Sequence, residues 1–249
     1  MLIDRIKKAT ASNREQARFL LRAFCLEGET KPVLGTLAAK LLDHQIIESI
    51  KLKNAINTYL GSVKTLCPKV TNAELNYLES GLTISELKSK HFYIHANAFQ
   101  KEIGFVFSGL LRAYYIDNQG NEISVNFISE NRYVTHYSAF ITQTPSKYYF
   151  QCIEPSVIVN LSYKHIQEGY EQFPILERYG RLVAEEVLKV QQKRIESFLF
   201  ENAETRYLEF IQENPDLFNR VSLSHLSSYL GIERQSLTRI RKKLAHNSF

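Results

Sequence analysis

The sequence predicts an α+β chain with N-terminal helices, an antiparallel sandwich or roll, one long helix and a C-terminal helix-turn-helix. Three observations carry that order. Apolar residues recur at spacings of three and four through the first fifty residues, with charges between them. From Lys90 the period changes to two, in short runs rich in aromatic and β-branched residues. After Pro174 the helical spacing returns and leads into a basic end.

Taken in order, Ile6, Ala9, Ala17, Leu20, Leu21 and Phe24 line one face of a first helix. Gly28 and Lys31-Pro32 punctuate it. Further helices are expected at Leu34–Ile50 and Leu52–Leu60. Thr71 and Glu74 have the spacing of a capping box and open another helix after Pro68. Strands are expected at His91–His95, Ile103–Phe107, Leu110–Ile116, Glu122–Ile128, Lys147–Ile153 and Val157–Leu161. Asp117-Asn118-Gln119-Gly120-Asn121 joins two of them as a hairpin turn, because Asn and Gly tolerate positive φ.

The long helix runs from Pro174 to about Asn202. Leu176, Tyr179, Val183, Val187, Val190 and Phe198 form its apolar stripe, interrupted by Arg194. Two partners compete for that stripe. It can pack on the roll, but roughly 25 residues outrun a small roll, so a parallel homodimer seam is expected along it. An amphipathic helix, Ala203–Glu213, follows, then a break at Asn214-Pro215. The resulting division is 1–51 as a helical extension, 52–173 as the roll, 174–202 as the dimer helix and 203–249 as the helix-turn-helix.

Composition narrows the function classes. The chain has 249 residues, 44% hydrophobic and 23% charged, an ordinary globular mixture rather than a disordered one. No apolar run reaches the roughly 18 residues that span a bilayer, and the start lacks the pattern of a signal peptide. Cys25, Cys67 and Cys152 are odd in number and far apart. That argues against a disulfide framework and points to the cytoplasm. No CxxC pair and no HxxxH on a helix indicates a metal, so no cofactor is expected. Residues 1–51 carry nine basic and six acidic side chains, only mildly basic. From Arg220 onward six basic residues face Glu233 alone, a surplus equal to the net charge of +5 of the whole chain. A basic face of this kind serves solubility or nucleic acid.

The segment Val221–Leu244 sharpens the choice. Ser222 can cap a first helix whose apolar side is Leu226, Tyr229 and Leu230. Gly231 follows where a helix ends in the left-handed region. In the second helix, Leu237, Ile240 and Leu244 turn inward, which leaves Arg234, Gln235, Thr238, Arg239 and Lys242 outside. Arginine offers a bidentate fork to guanine and glutamine does the same for adenine. Short hydroxyls and lysines suit phosphate, which positions without reading sequence.

These stretches resemble the Crp/Fnr family. The resemblance runs from about Leu52 to Leu244 and is carried by Phe105-Val-Phe-Ser-Gly-Leu-Leu-Arg-Ala-Tyr-Tyr, Glu177-Arg-Tyr-Gly-Arg-Leu-Val-Ala-Glu, Gln192-Lys-Arg-Ile-Glu-Ser and Ser228–Leu244. It implies a cyclic-nucleotide-binding-type roll, a dimerisation helix and a winged helix-turn-helix that regulates transcription from a palindromic operator. By it, base readout falls on Arg234, Gln235 and Arg239 within the recognition helix 234–244. Phosphate contact falls on Ser222, Ser236, Thr238, Lys242 and Lys243. Double-stranded DNA, a second copy of the chain, RNA polymerase and a small-molecule effector are the implied partners.

Some positions depart from the family pattern. Leu223 stands where a polar phosphate contact is common, and Glu233 where a small hydroxyl caps the second helix. Little chain follows Leu244 to form the wing. The stretch Asn131–Tyr149 has no Gly-Glu pair and no Arg followed by a small residue, so cyclic AMP is not the expected effector. Lys147 or Arg132 could still meet an anion. Two other readings stay open. His91, His95 and His136 on a roll invite a metal-dependent cupin-like enzyme, although Tyr93 takes the place of a close second histidine. The basic domain could also bind protein rather than DNA.

Overall fold

The computed structural model describes residues 32–247, with side chains described for 47–244. The expected helix at Ile6–Phe24 lies outside the described residues. The chain divides into two compact units, Met1–Asn54 and Ala55–Phe249.

Helix α1 spans Pro32–Leu66 and α2 spans Asn72–Ser80. The two expected helices, Leu34–Ile50 and Leu52–Leu60, are thus one. Lys51 is no helix breaker, and neither glycine nor proline stands near it to end the run. The last turns of α1 bury Ala55, Tyr59, Val63 and Cys67. At α2 the capping box forms as expected: the Thr71 amide donates to Glu74 at 2.7 Å, and the Ala73 amide donates to the Thr71 hydroxyl at 3.2 Å.

Eight strands follow: β1 Leu82–Leu87, β2 Phe92–Ile94, β3 Glu102–Ser108, β4 Leu111–Ile116, β5 Glu122–Ile128, β6 Tyr133–Val134, β7 Tyr149–Cys152 and β8 Ser156–Ser162. They form two four-stranded antiparallel sheets, ordered β1-β8-β3-β6 and β2-β7-β4-β5. The β4–β5 hairpin closes on Asp117, whose Oδ1 accepts from the Gln119 and Asn121 amides at 2.8 Å, with Gly120 at φ +84°. These bonds hold the Asp117 carboxyl below the usual aspartate range, that from the Asn121 amide most of all.

Alternation assigns each face. Val106, Leu111, Ala113, Ile128, Val134, Phe150 and Ile158 fill the space between the sheets. The other face of β3 and β8, with Ile103, Phe105, Val157, Val159 and Leu161, packs against helices. Strand β8 is therefore buried on both sides, which explains its nearly unbroken apolar run.

A short helix α3 spans Tyr137–Thr142, α4 spans Tyr163–Gln172 and α5 spans Pro174–Phe200. Ser162 caps α4 by accepting from the His165 amide. Leu176, Tyr179 and Val183 of α5 are buried against the roll of their own chain. This corrects the expected dimer stripe: its first half already has a partner, so it is not available to a second copy.

Three further helices follow among the described residues: α6 Ala203–Glu213, α7 Leu223–Leu230 and α8 Arg234–Asn247, with a 3-10 turn at Pro215–Leu217. Their core is Tyr207, Phe210, Leu217, Val221, Leu226, Leu230 and Leu237, and it is continuous with Leu110 and Phe127 of the roll. Among the described residues no strand follows α8.

Candidate nucleic-acid interface

The turn between α7 and α8 is built locally. The Ser222 hydroxyl accepts from the His225 amide at 3.2 Å and caps α7. Gly231 ends that helix at φ +67°, and its amide donates to Ser228 at 3.2 Å. A side chain here would be strained, and its Cβ would also meet the Phe198 ring at 2.7 Å. Two arginines satisfy the last carbonyls of α7. Arg194 donates to the Tyr229 carbonyl, and Arg206 donates to that of Leu230 at 3.0 and 3.2 Å. The Arg194 guanidinium lies 3.7 Å from the Tyr229 ring centroid and 4.2 Å from that of Phe198.

Helix α8 buries Leu237, with Ile240 and Leu244 packed against the same core. Arg234, Gln235 and Arg239 lie exposed on its outer side, as do Thr238, Lys242 and Lys243, and Ser236 is half-buried. The first turn of α8 holds no acidic residue. The side chains expected to meet a DNA backbone differ in how free they are. Lys242 is exposed, but Lys243 is ion-paired with Glu204 of α6 at 2.8 Å. The Thr238 hydroxyl donates to the Arg234 carbonyl within the helix at 3.0 Å.

One basic residue of this region has an unforeseen role. Arg220 donates to Glu154 through Nε and Nη2, at 2.7–3.2 Å, and to Glu130 through Nη1 and Nη2 at 3.0 and 2.9 Å. Its charge therefore ties the helical domain to the roll. Burial disfavours the Glu130 carboxylate, but the bonds from Arg220 and from the Gly109 amide outweigh it, so its pKa lies below the ordinary value. The Glu154 and Arg220 positions carried no sequence signal, since ion pairs between distant positions leave no local pattern. Helix α7 also docks on β5. The Ser124 amide donates to the Ser228 hydroxyl at 2.9 Å, and that hydroxyl donates to the Glu122 carbonyl at 3.0 Å. Phe127 meets Tyr229 with ring centroids 5.2 Å apart.

The remaining stripe residues of α5 also separate. Phe198 is held by Arg194, by Arg206 at 4.8 Å and by Gly231, while Val187 is half-buried and Val190 is exposed. Val190 and Phe198 remain 46% and 44% exposed, and a separate, more exposed apolar face carries Leu188, Ile195 and Leu199 at 64%, 55% and 69%. Their spacing of seven and four is that of a coiled-coil face.

The histidines of the cupin reading are engaged separately. His95 packs against Phe92 with ring centroids 4.3 Å apart and the rings tilted by 35°, His136 accepts from the Lys147 amide at 3.3 Å, and His91 contacts the Ser89 carbonyl. Among the described residues no three histidines, cysteines or carboxylates form a metal-holding group. Arg132 and Lys147, the two candidates for an anion, are exposed. Among the described residues no helix is long and apolar enough to cross a membrane.

No protein-family model and no curated protein matches the chain. Solved structures do. The c-di-GMP-responsive global regulator CLP of Xanthomonas campestris superimposes with a TM-score of 0.58 at 14% identity, over 72% of this chain and 93% of that one. FixK2 of Bradyrhizobium japonicum gives 0.58 at 12% identity, over 67% and 86%. A regulator assigned to the Crp/Fnr family from Eubacterium rectale gives 0.58 at 14%, over 72% and 86%. At such identities the likeness is one of architecture: the chain has the Crp/Fnr-type fold.

Proposed function

We propose that the chain is a sequence-specific, DNA-binding transcription regulator that works as a homodimer in the cytoplasm. The observation that carries this reading is helix α8. Its inner side is anchored by buried Leu237, while Arg234, Gln235 and Arg239 lie exposed at its N-terminal end and middle. A recognition helix meets base edges with that part. Arg234 and Arg239 suit guanine and Gln235 suits adenine. Ser222, Ser236 and Lys242 are the side chains read as holding phosphate, by their hydroxyls and charge. Lys243 reaches a phosphate only by releasing Glu204, so its contribution is smaller.

Dimerisation uses Leu188, Ile195 and Leu199, with the second half of α5 as the seam. Two recognition helices then enter successive major grooves about 34 Å apart on an imperfect palindrome. RNA polymerase is the expected protein partner. An effector, if bound, acts through α5, and cyclic AMP is not that effector. The exposure of Arg132 and Lys147 supports its exclusion, because neither lies between the sheets to pair with a buried phosphate. The chain is read as a binding protein and not an enzyme.

The test replaces Arg234, Gln235 and Arg239 together by alanine. DNA retention is expected to vanish while the oligomeric state and far-ultraviolet circular dichroism stay those of the parent. Retained sequence-specific binding would remove α8 as the reading element. Binding of a protein partner, with no DNA retained by the parent, would favour an interaction module instead.

A further inference from the structure

A cavity of about 410 Å³ lies outside the sandwich, between the outer face of β3 and β8 and residues of helices α1 to α5. That volume falls in the range of small-molecule sites. Seven tyrosines line it, together with Phe140, Ile141, Ile103 and Leu161. Helix α5 supplies one wall through Tyr179, Gly180 and Ala184.

The wall is polar in one particular way. Tyr133 and Tyr179 share a hydrogen bond between their hydroxyls. Burial holds both in the neutral form and pushes Tyr133 up to about 12. Tyr170 is likewise pushed up to about 12 by burial. Its hydroxyl lies 1.9 Å from where a Cβ at Gly180 would stand, so a glycine in mid-helix is what seats this hydroxyl against α5. The other ionisable groups are spoken for or lie at the rim. His165 stacks on Tyr77 and bonds its carbonyl at 2.9 Å. Glu177 and Arg181 are exposed, and Arg181 pairs with Glu185. A charged ligand would lose its hydration here without gaining a buried counter-ion. An aromatic ring would instead find ring faces and edges, with phenolic hydroxyls to donate to an oxygen.

We propose that this cavity binds a small uncharged molecule with an aromatic body and one or two oxygen substituents. Because α5 is a wall of the cavity and continues to the helix-turn-helix, occupancy biases how that domain is held. This regulatory meaning rests on the reading of the chain as a DNA-binding regulator, whereas the binding itself does not.

The test is calorimetric titration of the full chain with 2-naphthol and, separately, with 2-naphthoate, which carries the same rings and a negative charge. One site per chain for 2-naphthol is expected, with 2-naphthoate weaker by about tenfold or more. Gly180→Leu, which fills the cavity and displaces Tyr170, is expected to abolish binding. Because that variant can fail to fold, Ile141→Lys is made beside it. Ile141 is half-exposed at the cavity, so this change leaves the fold intact and weakens 2-naphthol about tenfold by bringing a charge to the site. Absence of 2-naphthol binding, equal binding by the Ile141→Lys variant, or tighter binding of 2-naphthoate overturns the proposal. Titrations contain no DNA. A chain that binds 2-naphthol but no operator keeps the site and loses the regulator reading, and the reverse result does the opposite.

Discussion

The two halves of α5 have similar apolar content and opposite fates. The first half puts Leu176, Tyr179 and Val183 into the core beside the roll, and the second leaves Leu188, Ile195 and Leu199 in solvent. A single stripe drawn through Leu176, Tyr179, Val183, Val187, Val190 and Phe198 merges two surfaces that lie on different faces. Periodicity says that a face is apolar. What covers it depends on where the next packed layer ends, and here the roll ends near Val183. Beyond that point the helix is anchored differently, through Arg194 and Phe198 against the turn at Gly231.

Substitutions along α5 should separate these surfaces. The largest effect is expected from Leu176→Ala, which empties a fully buried position in the roll core. Loss of about 2–5 kcal/mol in urea unfolding is expected. A loss below about 1 kcal/mol would mean that the first half of α5 is not firmly packed. Arg194→Ala comes next. It removes the guanidinium between Phe198 and Tyr229 and leaves the Tyr229 carbonyl without that donor, at about 1–2 kcal/mol. Its loss should appear as faster proteolysis of α7 and α8, with the roll still protected.

Acid should loosen the same helical domain. Because the folded Glu130 pKa lies below its unfolded value, the Arg220 clamp is fully stabilising above the ordinary glutamate pKa of about 4.3. That stabilisation is lost as pH falls through the lower, folded value. Between pH 7 and 3 the parent should therefore lose more stability than Glu130→Gln, and parallel curves would contradict the assignment. The smallest effect on the fold belongs to Leu188→Ser with Leu199→Ser. Each side chain is exposed in the single chain, so protomer stability should change by less than about 0.5 kcal/mol. Sedimentation should nevertheless show the proposed dimer dissociating, and an unchanged dimer would move the proposed seam elsewhere.

Much of this was legible in the residues themselves. Strand Glu122–Ile128, helix Ala203–Glu213, the Thr71–Glu74 capping box and the left-handed end at Gly231 all stand where local chemistry put them. The outward position of Arg234, Gln235 and Arg239 followed from the inward spacing of Leu237, Ile240 and Leu244. Strand Leu82–Leu87 is hard to read from its residues, because only Leu82-Thr83-Ile84-Ser85 alternates and α2 precedes it with little punctuation beyond Gly81. Helix Tyr163–Gln172 has a cap in Ser162 but too few apolar residues to give a helical stripe. The Arg220 clamp joins positions 66 and 90 residues apart and has no local signature. Nor does the tyrosine-lined cavity, whose walls come from six or more separate segments.

The proposed regulator works only if two copies of α8 read one palindrome. The most direct measurement is selection of bound sequences from a random duplex library by the purified chain at near-physiological salt. An enriched two-fold palindrome with half-sites about one helical turn apart is expected, with affinity that falls steeply with added salt as phosphate contacts are screened. Absence of any enriched sequence, with and without 2-naphthol present, would contradict it.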